Sequence, residues 1–501
     1  MQKPFVNTSP LANIKILGLE VTIGFSVILG LLVALGTLPW YGVIGVSLVP
    51  FLLILPQSSL WYILFDDWNF NRMSFALHPL ITTSTMALFF WFIYIMTKAL
   101  RRRQFLRFSP NALSLLVIAF FTYMALSYWL HNGEFDTTII NNLFFYLFLF
   151  QAMATLKDIR HFFWVGVVAG AILTATGLMQ WMIQGLGDSG LTGFGPISTR
   201  VQYGFYILIA LPILMALLPQ YPWCSRLMLG GLSLAFTLVI LGSLARGVIL
   251  VFIISSLLWL FWYRRERQIA IFVLILLFAF MFTPNIVWQR VGTLMHLPYL
   301  VDTPNQLNAL LSGRIPLMEA AWRMFENSPL AGLGYRSYKL LWSEFAPSSY
   351  IGAATRSIHF SAHSTYLQIM AELGIIGIAL YIGIFVSAFR NLKRTAHMCK
   401  NLNERFLQSA NSAVAISLII FALHGLLDNS GWHDRPFYFF LALTAILRDQ
   451  AHQLAKSPRP EFKNLLPDFT SRKFLQNRFP YLGFKGSVKK NTKPKSFFNN
   501  K

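Results

Sequence analysis

Apolar runs near twenty residues in length recur along most of this chain, and that property decides what it can fold into. About twenty residues of helix cross roughly 30 Å of hydrocarbon. Lipid offers no partner to open backbone groups, so only helices and closed barrels span it, and these runs lack the alternation of barrel strands. The fold class is therefore all-α: a polytopic integral membrane protein with about 12–13 transmembrane helices. Spans are expected near 16–37, 40–56, 79–100, 111–130, 139–156, 161–183, 201–220, 227–244, 247–263, 268–284, 366–389, 411–427 and 435–448. A composition that is 55% hydrophobic and 12% charged excludes a soluble domain with an ordinary surface. The first run follows a weakly charged start without a small-residue cleavage pattern, so it is expected to persist as a span.

Basic residues collect in cytoplasmic loops. Arg101 to Arg103, Lys157 with Arg160, Arg264 to Arg267, and Arg390 through Arg405 fall on one side under this count, as does the tail with Arg472, Lys473, Lys489, Lys490, Lys493 and Lys495. That side is read as the cytoplasm. Much of the net charge of +22 lies in the tail, where anionic membrane lipids are the expected partner and no nucleic acid is needed to account for it. Cys224 and Cys399 fall in loops on that side, so neither a disulfide nor a cysteine metal site is expected. Thirteen spans put the start of the chain outside and twelve put it inside; Gly36 to Trp40, with Pro39, either turns a hairpin or kinks one helix.

The chain divides into an amino-terminal transmembrane region (1–284), an external, periplasmic loop (285–365), a carboxy-terminal transmembrane region (366–449) and a basic, flexible cytoplasmic tail (450–501). No internal repeat of the transporter kind is visible. Within the loop, apolar residues at helical spacing from Leu317 through Ala321 to Met324 predict a surface helix after Arg314, with Pro316 in its first turn and Asn327-Ser328-Pro329 as its stop. Gly332-Leu-Gly334-Tyr335-Arg336 predicts a turn with close backbone approach, and 340–362 reads as irregular.

The chemistry-bearing residues lie toward the outer ends of spans. Arg246 sits between two apolar runs, where it either snorkels to headgroups or forms a fixed positive site for a membrane-borne anion. Arg314 stands at the start of the surface helix, where free backbone N–H groups add to an anion site, and Arg200 follows a glycine-rich loop that matches no phosphate-loop pattern. Arginine suits phosphate because its planar fork donates paired hydrogen bonds and stays charged. His363, at the mouth of a span, is the nearby group suited to proton transfer near neutral pH. His424 and Asp428, four apart on one helix face, and Arg336 are candidates for lining the same cavity. These residues supply no full zinc ligand set, so no metal and no cofactor are expected. Asp66-Asp67 reads either as a metal-holding acidic pair or as an interfacial loop, and Glu20 has no assigned partner.

The pattern resembles the O-antigen ligase and O-antigen polymerase family of bacterial envelope enzymes over roughly residues 190–447. The resemblance rests on His363 followed by Gly374-Ile-Ile-Gly377, on Ser243-Leu-Ala-Arg246-Gly247, on Ser312-Gly313-Arg314 with Trp322 downstream, and on Asn327 through Gly334. Members usually carry Ser-Arg-Gly where this chain has Ser-Leu-Ala-Arg-Gly, and a leucine where this chain has Met318. The resemblance implies a metal-independent, inverting glycosyltransferase that takes a glycan from undecaprenyl diphosphate. Arg246 and Arg314 would neutralise the leaving diphosphate, and His363, its neutral form favoured by the arginines, would take the acceptor's proton. Lipid A–core, a growing glycan or a protein hydroxyl are the three acceptors it allows, with the ligase reaction on lipid A–core expected first. A transporter of an anionic lipid-linked sugar is the reading from a different class, since it too would place arginines in a membrane cavity.

Overall fold

The computed structural model describes most of residues 111–262, 314–347 and 361–456, together with isolated residues between Leu60 and Met96 and between Val273 and Gly292. Expected spans 16–37 and 40–56, nearly all of 268–284, Asp66-Asp67, Glu20, Ser312-Gly313 and most of the tail lie outside the described residues. The chain forms one compact unit from Met1 to Leu454 and a second from Ala455 to Lys501, of which only the last helical residues are described.

The described helices are α1 (Ala112–Asn132), α2 (Thr137–Ala152), α3 (Leu156–Gln184), α4 (Arg200–Leu217), α5 (Trp223–Gly242), α6 (Arg246–Trp262), α7 (Ile315–Asn327), α8 (Ser337–Phe345), α9 (Thr365–Leu402), α10 (Arg405–Leu427) and α11 (Arg435–Lys456). Among the described residues six helices are long and apolar enough to cross a membrane: α1, α3, α4 (with the 3-10 turn that follows it), α5, α9 and α10. The protein is an all-α, multi-pass membrane protein. A small antiparallel hairpin, β1 (Ala76–His78) with β2 (Ile81–Thr82), is the exception to the all-helical expectation, and it occupies the start of what the apolar run at 79–100 suggested was span.

Two expected spans are short apolar helices, α2 with 16 residues and the apolar part of α6, Arg246–Leu260. At 1.5 Å per residue, 16 residues reach about 24 Å, short of the hydrocarbon thickness. The helix α11 runs on past 448 to Lys456; its apolar run, Pro436 to Leu447, is shorter than those of the six, and Arg435 to Leu447 is buried throughout. Region 340–345 is helical rather than irregular, because Tyr338 and Trp342 bury the inner face of α8 against α7.

Helix starts follow from their caps. Asp136 accepts the N–H of Thr138, Thr155 and Asp158 form a reciprocal capping box, and Thr199 accepts the N–H of Gln202. At the centre, α4 and α11 are the most enclosed helices. Aromatic rings lock α11 in place: Tyr438 meets Phe121 of α1 at 4.7 Å, Phe437 meets Phe421 of α10 at 5.3 Å, and Phe439 meets Phe162 of α3 at 6.1 Å.

Candidate functional site

The starts of α6, α7 and α9 converge on the end of α10. Asp428 closes α10, its N–H bonded to the His424 carbonyl at 2.8 Å. His363 precedes α9 in a left-handed conformation, φ +48°, and its Nδ1 lies 3.3 Å from Asp428 Oδ1. Arg314 sits at the N-cap of α7, donates to the Leu427 carbonyl, and places its guanidinium 3.9 Å from Asp428 Oδ2. One carboxylate thus faces the imidazole with one oxygen and the guanidinium with the other. The Leu427 carbonyl belongs to the last turn of a helix, where carbonyls lack intrahelical donors and cations are favoured, so an arginine is the fitting cap. Thr365 ties the start of α9 to the same corner by donating to the Asp428 carbonyl at 3.2 Å.

Burial alone would raise the carboxyl pKa of Asp428. The hydrogen bond from His363 and the neighbouring His424 and Arg314 outweigh it and hold the group at about 2, below the usual carboxylate range. His424 lies one turn further in, buried, with its ring stacked on Phe205 of α4 at 4.2 Å. The site therefore contains a carboxylate that stays ionised near neutral pH, set between an arginine and an imidazole.

Arg246 is the first residue of α6, half-buried. The turn that delivers it is folded by Ser243, whose Oγ donates to the Ile240 carbonyl at 2.7 Å, and by the left-handed Leu244, φ +54°. The next residue, Gly247, lies against Leu427: a Cβ added there would stand 3.5 Å from that side chain. The start of α6 thus packs on the turn that carries Asp428. Arg200 opens α4, whose Gly204 lies so close to Ser243 that an added Cβ would stand 2.8 Å from its Oγ. Arg336 is directed elsewhere: it pairs with Asp136 at the start of α2 at 3.0 Å, while its own N–H donates to Glu372. The adjacent Tyr335 shares a 3.0 Å hydrogen bond with His433 Nδ1.

The two glycine motifs form one joint. The helix α9 breaks at Gly374, φ +62°, which leaves carbonyls on one side and N–H groups on the other without helical partners. The 328–334 turn supplies them. Leu333 and Gly334 donate to the carbonyls of Ala371 and Glu372, and Ile375 and Ile376 donate to those of Pro329 and Leu330. Side chains would not fit: a Cβ on Gly332 would overlap the Glu372 carbonyl, and one on Gly374 would overlap that of Leu330. Tyr123 of α1 adds hydroxyl bonds of 3.2 Å to Ala331 and Leu373.

Sequence reasoning passed over Gln368 and Glu372, both buried on the first turns of α9 that follow His363. An acidic residue inside an apolar run was the available signal. Among the described residues no three His, Cys, Asp or Glu side chains gather as a metal-holding group.

Residues 231–382 match the family model described as O-antigen ligase. Over this segment, somewhat under a third of the chain, it is similar to the O-antigen ligase and polymerase family that its motifs resemble. The matched stretch begins within α5 and ends within α9, so it contains Arg246, Arg314, Arg336, His363 and Gly374; Arg200, His424 and Asp428 lie outside it. The exopolysaccharide production protein ExoQ of Rhizobium meliloti (strain 1021) is 33% identical over 90 residues. That alignment covers 16% of this chain and 19% of the relative, so the chain spans about a fifth of the relative's length.

Proposed function

We propose that this protein is a member of the O-antigen ligase and polymerase family and transfers a glycan from a polyprenyl diphosphate carrier, undecaprenyl diphosphate, to a hydroxyl acceptor, without metal. The observation that carries the reading is the shared carboxylate: Asp428 holds His363 on one oxygen and faces Arg314 with the other. With Asp428 as acceptor, Nδ1 of His363 carries the hydrogen and Nε2 is left to take a proton. The acceptor hydroxyl gives that proton to Nε2 as its oxygen attacks the anomeric carbon. The bond from that carbon to the diphosphate oxygen breaks on the opposite face, inverting the centre, and the electron pair leaves with the diphosphate. Arg314 and Arg246 neutralise the charge that develops there, in a site walled by apolar helices where such interactions gain strength. Arg200 belongs to the same anion-binding group.

The chain is placed in the bacterial cytoplasmic membrane with this corner facing the periplasm and the carboxy-terminus in the cytoplasm, in keeping with the basic loops. Residues 285–365 form the external loop over the sugar and diphosphate. Ligation is the first reading, supported by the match to a family model described as O-antigen ligase, with lipid A–core as the acceptor proposed. A growing glycan is the second reading, favoured by the likeness to a protein named for exopolysaccharide production; a protein hydroxyl is the third.

The test is transfer by purified protein in lipid, with chelator present, from an undecaprenyl-diphosphate glycan to each acceptor. Metal-independent product that disappears in a folded His363→Ala variant is expected, and the acceptor consumed separates the three reactions. Undiminished transfer by His363→Ala removes the base; carrier movement across vesicles without transfer would replace the reading with transport.

A further inference from the structure

The first two turns of α9 carry a buried amide and a buried carboxylate beyond Thr365, whose hydroxyl serves the Asp428 corner. Gln368 and Glu372 are four residues apart, and Gln368 Nε2 donates to Glu372 Oε1 at 2.9 Å. The other end of the amide points toward the histidine turn, where Gln368 Oε1 accepts the N–H of Ala362 at 3.3 Å. The second oxygen of Glu372 accepts the N–H of Arg336 at 2.9 Å. Both residues so tied are next to or within strained backbone: His363 follows Ala362 with φ +48°, and Arg336 itself has φ +67°. Non-glycine residues hold left-handed conformations only where surrounding contacts over-determine them. A buried carboxylate is also costly unless it meets directed donors, and here each oxygen has one.

We propose that Gln368 and Glu372 are positioning residues: the carboxylate fixes which way the amide points, and the amide pins the backbone that aims His363 at Asp428. The inference rests on the reading of His363 as the proton acceptor. Glu372 touches neither the imidazole nor Arg314 in this chain of bonds; it acts through Gln368 and the Ala362 peptide. Because the same carboxylate holds the Arg336 turn, the histidine and the 328–336 segment are set by one group.

The test uses the full chain in lipid. Gln368→Met keeps the volume and removes both hydrogen bonds. Gln368→Glu sets two carboxylates against each other. The swap of Gln368→Glu with Glu372→Gln restores every bond, since the carboxylate then at 368 accepts from Ala362 and from the amide at 372, whose oxygen accepts from Arg336. Small misplacements of a reacting group cost up to about 100-fold, so Gln368→Met and Gln368→Glu are expected to lower kcat by about 10-fold or more. The donor KM stays near that of the wild type, and the swap recovers most of the rate. Hydrogen–deuterium exchange across 361–367 rises in Gln368→Met and returns in the swap. A wild-type kcat and unchanged exchange in Gln368→Met would overturn the proposal, as would a swap no better than Gln368→Glu alone. If His363→Ala proves fully active, the catalytic reading fails, and the exchange measurement still decides whether the pair holds the turn.

Discussion

Replacing Asp428 by asparagine removes one charge and leaves the shape of the site nearly intact. The carboxyl is held at about 2 against an ordinary value of 3.8. At roughly 1.4 kcal/mol per pKa unit, the folded site favours the ionised form by about 2–3 kcal/mol. In Asp428→Asn one oxygen still accepts, but the other position becomes an NH2 that faces either the imidazole N–H or the Arg314 guanidinium, a donor against a donor. A stability loss of about 2 kcal/mol is expected, together with a fall in kcat of about 10²- to 10⁴-fold as His363 loses the group that orients it. The pH dependence has a definite sign. A depressed carboxyl pKa gives stability that is fully present above the unfolded value near 3.8 and is lost as pH falls through about 2. Thermal unfolding of the two proteins in the same lipid should therefore differ by a margin that does not shrink between pH 8 and pH 5 and closes only below about pH 4. A margin that already shrinks above pH 5, or a variant with near wild-type kcat, would refute the assignment.

Arg314→Lys keeps the charge but gives up the fork that serves Leu427 and Asp428 together, and its donor KM is expected to rise by about 10-fold or more, read in the same transfer assay. Gly374→Ala and Gly332→Ala each place a side chain into the backbone of the joint at a positive φ. Each should cost about 2 kcal/mol or more, and the pair should cost less than the sum in unfolding measurements, since both break one structure. Tyr335→Phe removes the hydroxyl bond to His433 and should lower stability by about 1 kcal/mol while leaving kcat close to wild type.

The membrane helices were legible because a run of apolar residues is a local property, and nine of the expected spans are helices in the described residues. Their lengths were less legible: α11 reads as a short span over 435–448, whereas the helix extends to Lys456 and packs among the rings of Phe121, Phe162 and Phe421. The hairpin at 76–82 was missed although Pro79 interrupts the segment, because the apolar run that follows it dominated the reading. At the site, Arg314 and His363 stood out by residue type and position, while Asp428 read only as a companion of His424. Its pairing with His363 bridges 65 residues, a separation no spacing rule covers. The glycine motifs around 332 and 374 read separately, one as a turn and the other as the start of a span, for the same reason. Gln368 and Glu372 escaped notice because their importance lies in which backbone groups they face, and only the folded chain brings Ala362 and Arg336 to them.

A break such as that at Gly374 would ordinarily be a place where a helix can swivel, but four backbone hydrogen bonds stitch the 328–334 turn to both sides of it. A membrane helix adjusts its tilt to the thickness of the bilayer around it. Here that tilt has no slack to disappear into, so α7 and the histidine turn move with the span. If the proposed transfer holds, the length of the lipid acyl chains becomes one of its settings: a membrane of another thickness is expected to shift the imidazole relative to its carboxylate and to change the rate of transfer.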